Sequence, residues 1–525
     1  MIAAAHGGGR RIRGAAGGGV ALAVPATLRE DDRRMRWAIV VRAELTAALA
    51  AIALATPALG APAAGTLAPS AASVTYTSAL TRHQVAFLDT LERRTFAWFW
   101  DLSDPHTGLT PDRAPTRSFS SVSAVGFALT AYPVGAERGW VTRGQARTRV
   151  LRTLEFLAAA KQDTNAAGCT GYRGFFYHFL DPVTGQRFEK VELSTMDTAL
   201  LLAGVLFCQS YFDRATAAER RIRSLAETLY TRADWTWSQV RPPTIVHGWT
   251  PEAGFLPYDW RGYNEAMILQ VLALGSTTHP VHGEVWDAWT GRYRWGTFQG
   301  YEHVGFAPLF GHQYTQVWLD LRGIRDPWMR AHGIDYFENS RRATLAQRAY
   351  AVANPGGWSG YGAALWGLSA CDGPVDQSVT IAGRERAFRT YAARGASFTE
   401  VTDDGTISPT AAGGSIPFAP RETVETLMAM RAAYDTLVFN RYGFVDAFNP
   451  TLAVDVPVHH GRVVPGVGWF DTDALGIDQG PILAMIENYR TGLVWRVMRR
   501  NPHVIRGLRR AGFTGGWLAR VPASP

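Results

Sequence analysis

Apolar positions along the chain fall into two kinds of run. In the first kind they recur every three or four residues, as in Val150, Leu151, Leu154, Phe156 and Leu157, or Ile222, Leu225, Ala226 and Leu229. That spacing lines one face of a helix. In the second kind they fill the run on every side: Ala199–Phe207 and Ala266–Leu274 hold hardly a polar residue. A helix apolar all round is stable only where it is buried all round. Thr142–Gln145 and Thr216–Glu219 carry the capping-box pattern that opens a helix, and Ser194–Asp197 precedes the first buried run. Further helices are predicted at 83–101, 121–132, 341–353, 421–437 and 479–497. Strand signals are few; Thr244–His247 and Val454–Val458 suit loops or small hairpins.

Roughly ten to twelve helices thus follow one another without a compositional break or a repeat of fixed period. Helices buried on all sides, alternating with one-faced helices, predict two concentric layers. We read an all-α helical toroid with long loops, with an α-solenoid as the second architecture. One domain is expected over residues 76–518. The first 75 residues differ: Gly7–Gly19 is rich in Gly, Ala and Arg, and Arg33–Arg36 precedes an apolar, uncharged stretch from Leu45 to Leu59 with small residues after it. We read residues 1–75 as a disordered N-terminus containing a signal peptide over about 35–63. That pattern predicts a secreted or periplasmic protein. The uncharged run is shorter than the ~20 residues of a membrane span, so no stable span is expected in the mature protein.

Composition narrows the class. The 525 residues are 47% hydrophobic, 12% aromatic and 19% charged, which excludes disorder as a description of the whole. Three cysteines exclude a disulfide scaffold, and they lack the spacing of a metal site. The net charge is +8, but half of the excess lies in the first 61 residues and no basic run follows. Nucleic acid is therefore not an expected partner.

The chemistry sits where acids and aromatics meet helix starts. Between Gly248 and Glu265, acids and amides interleave with Trp249, Tyr258, Trp260 and Tyr263. Aromatic faces stack on sugar rings, and carboxylates bind hydroxyls or move protons, so the segment suits a saccharide cleft. The same residues have structural uses: Asn264 and Glu265 can cap a helix, and Asp197 can close a box with Ser194. Glu192 and Asp197 flank one helix start as Asp259 and Glu265 flank another. A glycosidase needs two such carboxyls. His312 and Gln316 stand one turn apart, Glu338–Arg342 offers a hydroxyl clamp or a cap, and Asp446, Asp471, Asp473 and Asp478 lie in late Gly-rich or aromatic loops. A Ca²⁺ loop over the last three lacks EF-hand spacing. Phosphate loops, GxSxG and HExxH are absent.

Six ordered motifs, Glu192–Leu201, Gly262–Ile268, Pro308–Tyr314, Phe337–Thr344, Ala370–Pro374 and Gly476–Pro481, resemble the glycoamylase-like domain family over roughly residues 80–515. The family includes endo-β-1,2-glucanases and a segment of cyclic β-1,2-glucan synthases. The resemblance implies an (α/α)6 toroid and an inverting glycoside hydrolase acting on β-1,2-glucan oligosaccharide or polysaccharide, with no metal and no other cofactor. It implies Glu265 as general acid. For the base it implies Asp446 first, then Asp478 and Asp197. On that frame Trp260, Tyr263 and Tyr314 stack glucosyl rings, and Arg261, His312, Gln313 and Arg341 bind hydroxyls, with Glu192 and Asp259 beside them. The alternatives are an α-glucan glucohydrolase on the same toroid, a polysaccharide lyase, and a non-catalytic glycan-binding protein.

Overall fold

The structure is a computed structural model that describes residues 80–522. The signal peptide read at 35–63 lies outside the described residues. The described residues group into one compact unit.

Fifteen α-helices are present among the described residues. The first five are α1 (Arg82–Leu102), α2 (Val122–Glu137), α3 (Arg143–Ala159), α4 (Thr195–Tyr211) and α5 (Ala217–Thr231). Next come α6 (Met267–Gly275), α7 (Glu284–Thr290), α8 (Phe310–Trp318), α9 (Pro327–Ala331) and α10 (Tyr336–Ala353). The last are α11 (Pro409–Gly413), α12 (Pro420–Tyr434), α13 (Gly476–Arg490), α14 (Leu493–Met498) and α15 (Pro502–Arg510).

The two kinds of apolar run become two kinds of helix. All nine residues of α6 are buried, as are Val122–Gly135 of α2 and Thr195–Cys208 of α4. By contrast α5 buries a stripe containing Ile222, Leu225, Ala226 and Leu229, and exposes the rest. The buried helices pack in sequence order, α2 on α4, α4 on α6, α6 on α8, α11 on α13, and α13 back on α2. One-faced helices back them: α3 on α2, α5 on α4, α15 on α6, α10 on α8, α12 on α11 and α1 on α13. Where α2 crosses α4, a Cβ on Gly126 would lie 2.4 Å from Leu200 O and one on Gly204 would lie 2.1 Å from Gly126 O. The crossing is closer than any side chain allows.

Two sequence expectations need correction. The helix expected over 479–497 begins at Gly476 and ends at Arg490, because Gly492 at φ 66° turns the chain before α14. Strands are also more numerous than expected, although each is short. The largest sheet has five antiparallel strands, Gly171–Tyr172, Phe175–Tyr177, Leu193–Ser194, Gly248–Thr250 and Gly254–Phe255. It ties the loop before α4 to the loop before α6. Thr244–His247 and Val454–Val458 belong to no named strand. Among the described residues no helix is long and apolar enough to cross a membrane.

One polar network lies inside the helices. Glu92 of α1 and Glu487 of α13 are buried in mutual contact. Arg138 Nε reaches Glu487 Oε2 at 2.6 Å and Glu92 Oε2 at 3.5 Å, and Arg490 Nη1 reaches Glu92 Oε2 at 2.9 Å. Burial and the neighbouring Glu487 push the Glu92 carboxyl up to about 9, so it holds a proton at neutral pH.

Candidate active site

Several buried helices begin with an acid or just after one. Asp197 is the third residue of α4 and Asp478 the third of α13. Glu265 lies two residues before α6; the helix starts at Met267, and Asn264 Oδ1 accepts the Ala266 N–H at 2.9 Å. Asp197 and Asp478 therefore lie in the first turn of their helices, while Glu265 stands outside the helix proper.

Glu265 is half-buried. Burial pushes its carboxyl up to about 7, and the negative charge of Asp197 adds to the rise. A carboxyl held protonated near neutrality is the pattern of a general acid. The Tyr314 hydroxyl feels both acid groups: burial raises it most, and Asp478, Tyr391, Glu265 and Asp197 raise it further. Glu265 and Asp197 thus approach Tyr314 from one part of the chain, and Asp478 from another.

The second group is denser. Asp446 and Asp478 are buried in hydrogen-bonding contact, so they share a proton, and burial together with neighbouring acids raises both. Asp446 Oδ2 accepts the Asp372 N–H at 2.7 Å, and its Oδ1 has no protein partner. Asp471 Oδ1 accepts the N–H groups of Thr472 and Asp473, while its Oδ2 is likewise unpartnered. Arg113 is the guanidinium at this group, ion-paired with Asp372 and, at 3.3 Å, with Asp112. Asp372, Asp446 and Asp471 each offer an oxygen within 4.8 Å of the others. An all-oxygen set of this kind suits a hard divalent cation, although Arg113 already meets the charge of Asp372.

Glu192 and Asp197 are joined by His178, whose Nδ1 lies 2.8 Å from Glu192 Oε1 and whose Nε2 lies 3.4 Å from Asp197 Oδ2. Ser194 Oγ donates to Asp197 Oδ2 at 2.5 Å and accepts the Asp197 N–H at 3.1 Å, so the capping use of Asp197 is also present.

The remaining binding residues read from the sequence have other partners. Asp259 is enclosed by Arg241, Arg261 and Thr244, with its nearest oxygen 2.6 Å from Arg241 Nη2, and this fixes Arg261 as well. Trp260 stacks on His247 at 3.8 Å and donates its indole N–H to Thr195 at 3.0 Å. Tyr263 is buried among Trp289, Tyr293, His312 and Tyr336. His312 is buried against the Phe306 carbonyl at 3.1 Å, and burial lowers it to about 3, so it is neutral. Gln313 donates to Ala411 O and Ser415 Oγ, both at 2.8 Å, joining α8 to the start of the α11 segment. Arg341 pairs with Glu338 one turn back on α10. Asp259 and Arg341 thus have their charges met within the protein, and Gln313 spends its Nε2 on Ala411 and Ser415 while its Oε1 is unpartnered. Asp112, Arg113, His178, Asp372 and Tyr391 were not singled out from sequence, apart from the motif containing Asp372. Each lies in a loop or in a strand of two or three residues, with no periodicity to mark it.

Comparison with known proteins follows the same outline. A family model named Glycoamylase, described as "Putative glucoamylase", matches residues 257–502. A crystal structure described as that of a "putative glucoamylase" from Bacteroides fragilis NCTC 9343 is 31% identical, covers 84% of this chain and 99% of that one, and superposes with a TM-score of 0.71. An endo-beta-1,2-glucanase from Chitinophaga pinensis, solved with sophorotriose and glucose, is 26% identical over 84% of this chain and all of that one, at TM-score 0.69. The exo beta-1,2-glucooligosaccharide sophorohydrolase (non-reducing end) of Parabacteroides distasonis is 27% identical over 457 residues, or 81% of this chain. The chain spans 57% of the length of that curated relative.

Proposed function

The chain belongs to the glycoamylase family, and from that premise we propose that it is a glycoside hydrolase cleaving β-1,2-glucan with inversion at the anomeric carbon. The observation that carries the reading is the approach of two unlike acid groups to Tyr314: a carboxyl raised to about 7, and a late carboxyl pair sharing a proton. The β-1,2 linkage is taken from the similar glucanase and sophorohydrolase.

In this reading Glu265 gives its proton to the leaving glycosidic oxygen. The pair Asp446–Asp478, which together carry one negative charge, takes a proton from the attacking water or from a substrate hydroxyl that relays it. The water oxygen bonds to the anomeric carbon as the bond to the leaving oxygen breaks. Asp197 keeps Glu265 protonated by its charge, and Tyr314 orients the sugar between the two groups. The order of packing of the buried helices, with one-faced helices behind them, supports an (α/α)6 toroid in one domain over 76–518. The basic, apolar and small-residue order of residues 35–63 supports a periplasmic or secreted setting.

A panel of linear and cyclic glucans of different linkages tests the substrate. New reducing ends from β-1,2-glucan and none from starch or maltooligosaccharides are expected. Glucose from maltooligosaccharides would assign an α-glucan glucohydrolase instead, an unsaturated product a lyase, and binding without products a glycan-binding protein.

A further inference from the structure

His178 touches both Glu192 and Asp197 on the Glu265 side of the site, and nothing in the proposed reaction uses it. It follows the strand Phe175–Tyr177, and its backbone is pinned at both ends: its N–H donates to Glu192 O at 2.9 Å, and its carbonyl accepts the Val122 N–H at 3.2 Å. The ring is stacked on Phe179 at 4.0 Å, so it cannot swing. Held there, Nδ1 faces Glu192 Oε1 at 2.8 Å and Nε2 faces Asp197 Oδ2 at 3.4 Å. A neutral imidazole has one N–H and one bare lone pair. With a carboxylate at each nitrogen, a neutral ring would aim that lone pair at a negative oxygen, and only the doubly protonated ring meets both.

We propose that His178 is held as an imidazolium between Glu192 and Asp197 and acts as a positioning residue for the general acid, through Asp197. This rests on the hydrolase reading for its catalytic consequence, though the protonation of the ring does not. Asp197 sits at the third position of α4, where Ser194 donates to it. Its field keeps a proton on Glu265, and His178 offsets part of that field. The charged groups that face the ring are Glu192 from the segment before α4, Asp197 on α4, and Asp112 with its partner Arg113 from the segment before α2. Glu265 in turn is faced by Asp197 and by the Tyr314 hydroxyl. Burial pulls His178 down, but Asp197 and Glu192 outweigh it and the net direction is up, in agreement with the geometry.

The test has two arms. In the first, the full chain is labelled with ¹⁵N-histidine and the His178 ring signals, identified by their absence in His178→Gln, are followed from pH 5 to 8. Protonation of both nitrogens at pH 6.5, when an unperturbed histidine is half neutral, is expected; one bare nitrogen at that pH overturns the proposal whatever the enzyme does. In the second, the alkaline limb of kcat/KM is measured on the glucan found to be cleaved. His178→Gln is expected to move that limb up by about 0.5 pH unit, because Asp197 is no longer offset. Asp197→Asn is expected to move it down, and the double variant to match Asp197→Asn. A limb that stays in place while kcat falls equally at every pH would leave His178 a mere structural prop and overturn the coupling. Absence of hydrolysis by the wild type on every glucan would remove the hydrolase reading, while the first arm still decides the imidazolium.

Discussion

Helix α13 carries a buried carboxyl near each end, and the two ends are balanced differently. Asp478 in its first turn meets Asp446; Glu487, about 14 Å further along the axis at 1.5 Å per residue, meets Glu92. At the Glu487 end two guanidiniums, Arg138 and Arg490, reach the pair, and Thr491 Oγ1 donates to Glu487 at 2.5 Å. At the Asp478 end Asp112, Asp372, Asp471 and Asp473 crowd around the pair, with Arg113 the guanidinium between them. One pair has enough cations to settle as structure. The other sets Arg113 against more acids than one guanidinium can neutralise, which is how a site for hydroxyls, water and protons differs from a buried tie.

The sharpest way to break this contrast is to remove charge at each end. Glu265→Gln and Asp478→Asn are expected to lower kcat by roughly 10²–10⁴-fold, with Tm unchanged or, for Asp478→Asn, raised as repulsion is relieved. Steady-state kinetics and thermal melts on the same samples check both. Arg138→Ala should do the reverse. It strands Glu487 and destabilises the fold by about 3–5 kcal/mol in denaturant unfolding, while kcat per folded molecule stays near wild type.

Two smaller effects sharpen it. Activity requires protonated Glu265, so kcat/KM should fall as pH rises through about 7. The base must be ionised, so activity should also fall on the acid side, at a pH above the ordinary carboxylate range because burial raises the Asp446–Asp478 pair. A narrow bell is the expected profile. At the far end the sign differs. Between its unfolded value near 4.5 and about 9 the folded protein binds a proton on Glu92 that the unfolded chain releases, so this contribution to stability is largest in acid and declines as pH rises. Glu92→Gln mimics the protonated acid. It should cost at most about 1 kcal/mol at pH 7 and flatten that decline in unfolding free energy against pH, whereas Glu487→Gln should cost more.

The same physics explains what the sequence disclosed. Runs apolar on all sides, such as Ala199–Phe207, could only be buried helices, and they are. Acids beside such runs, Asp197 and Glu265, stood out because a charge next to a buried helix needs a reason, and Asp478 stood out in its Gly-rich segment. The short strands left no trace, since two or three residues carry no period. Arg113, His178 and Tyr391 gave no signal because only tertiary closure brings these residues, in or beside very short strands, to the acids. Polarity near aromatics marks a cleft and an internal hydrogen bond equally well, and the sequence could not show that Asp259 meets Arg241 or that Gln313 meets Ala411 and Ser415. The helix end at Arg490 was missed because the glycine that ends it was read through.

The most direct test is a ¹H NMR time course of β-1,2-glucan hydrolysis that records the anomer first released. Water activated by the late carboxyl pair, opposite Glu265, predicts that the α-anomer appears first and mutarotates to β; initial release of the β-anomer would contradict it.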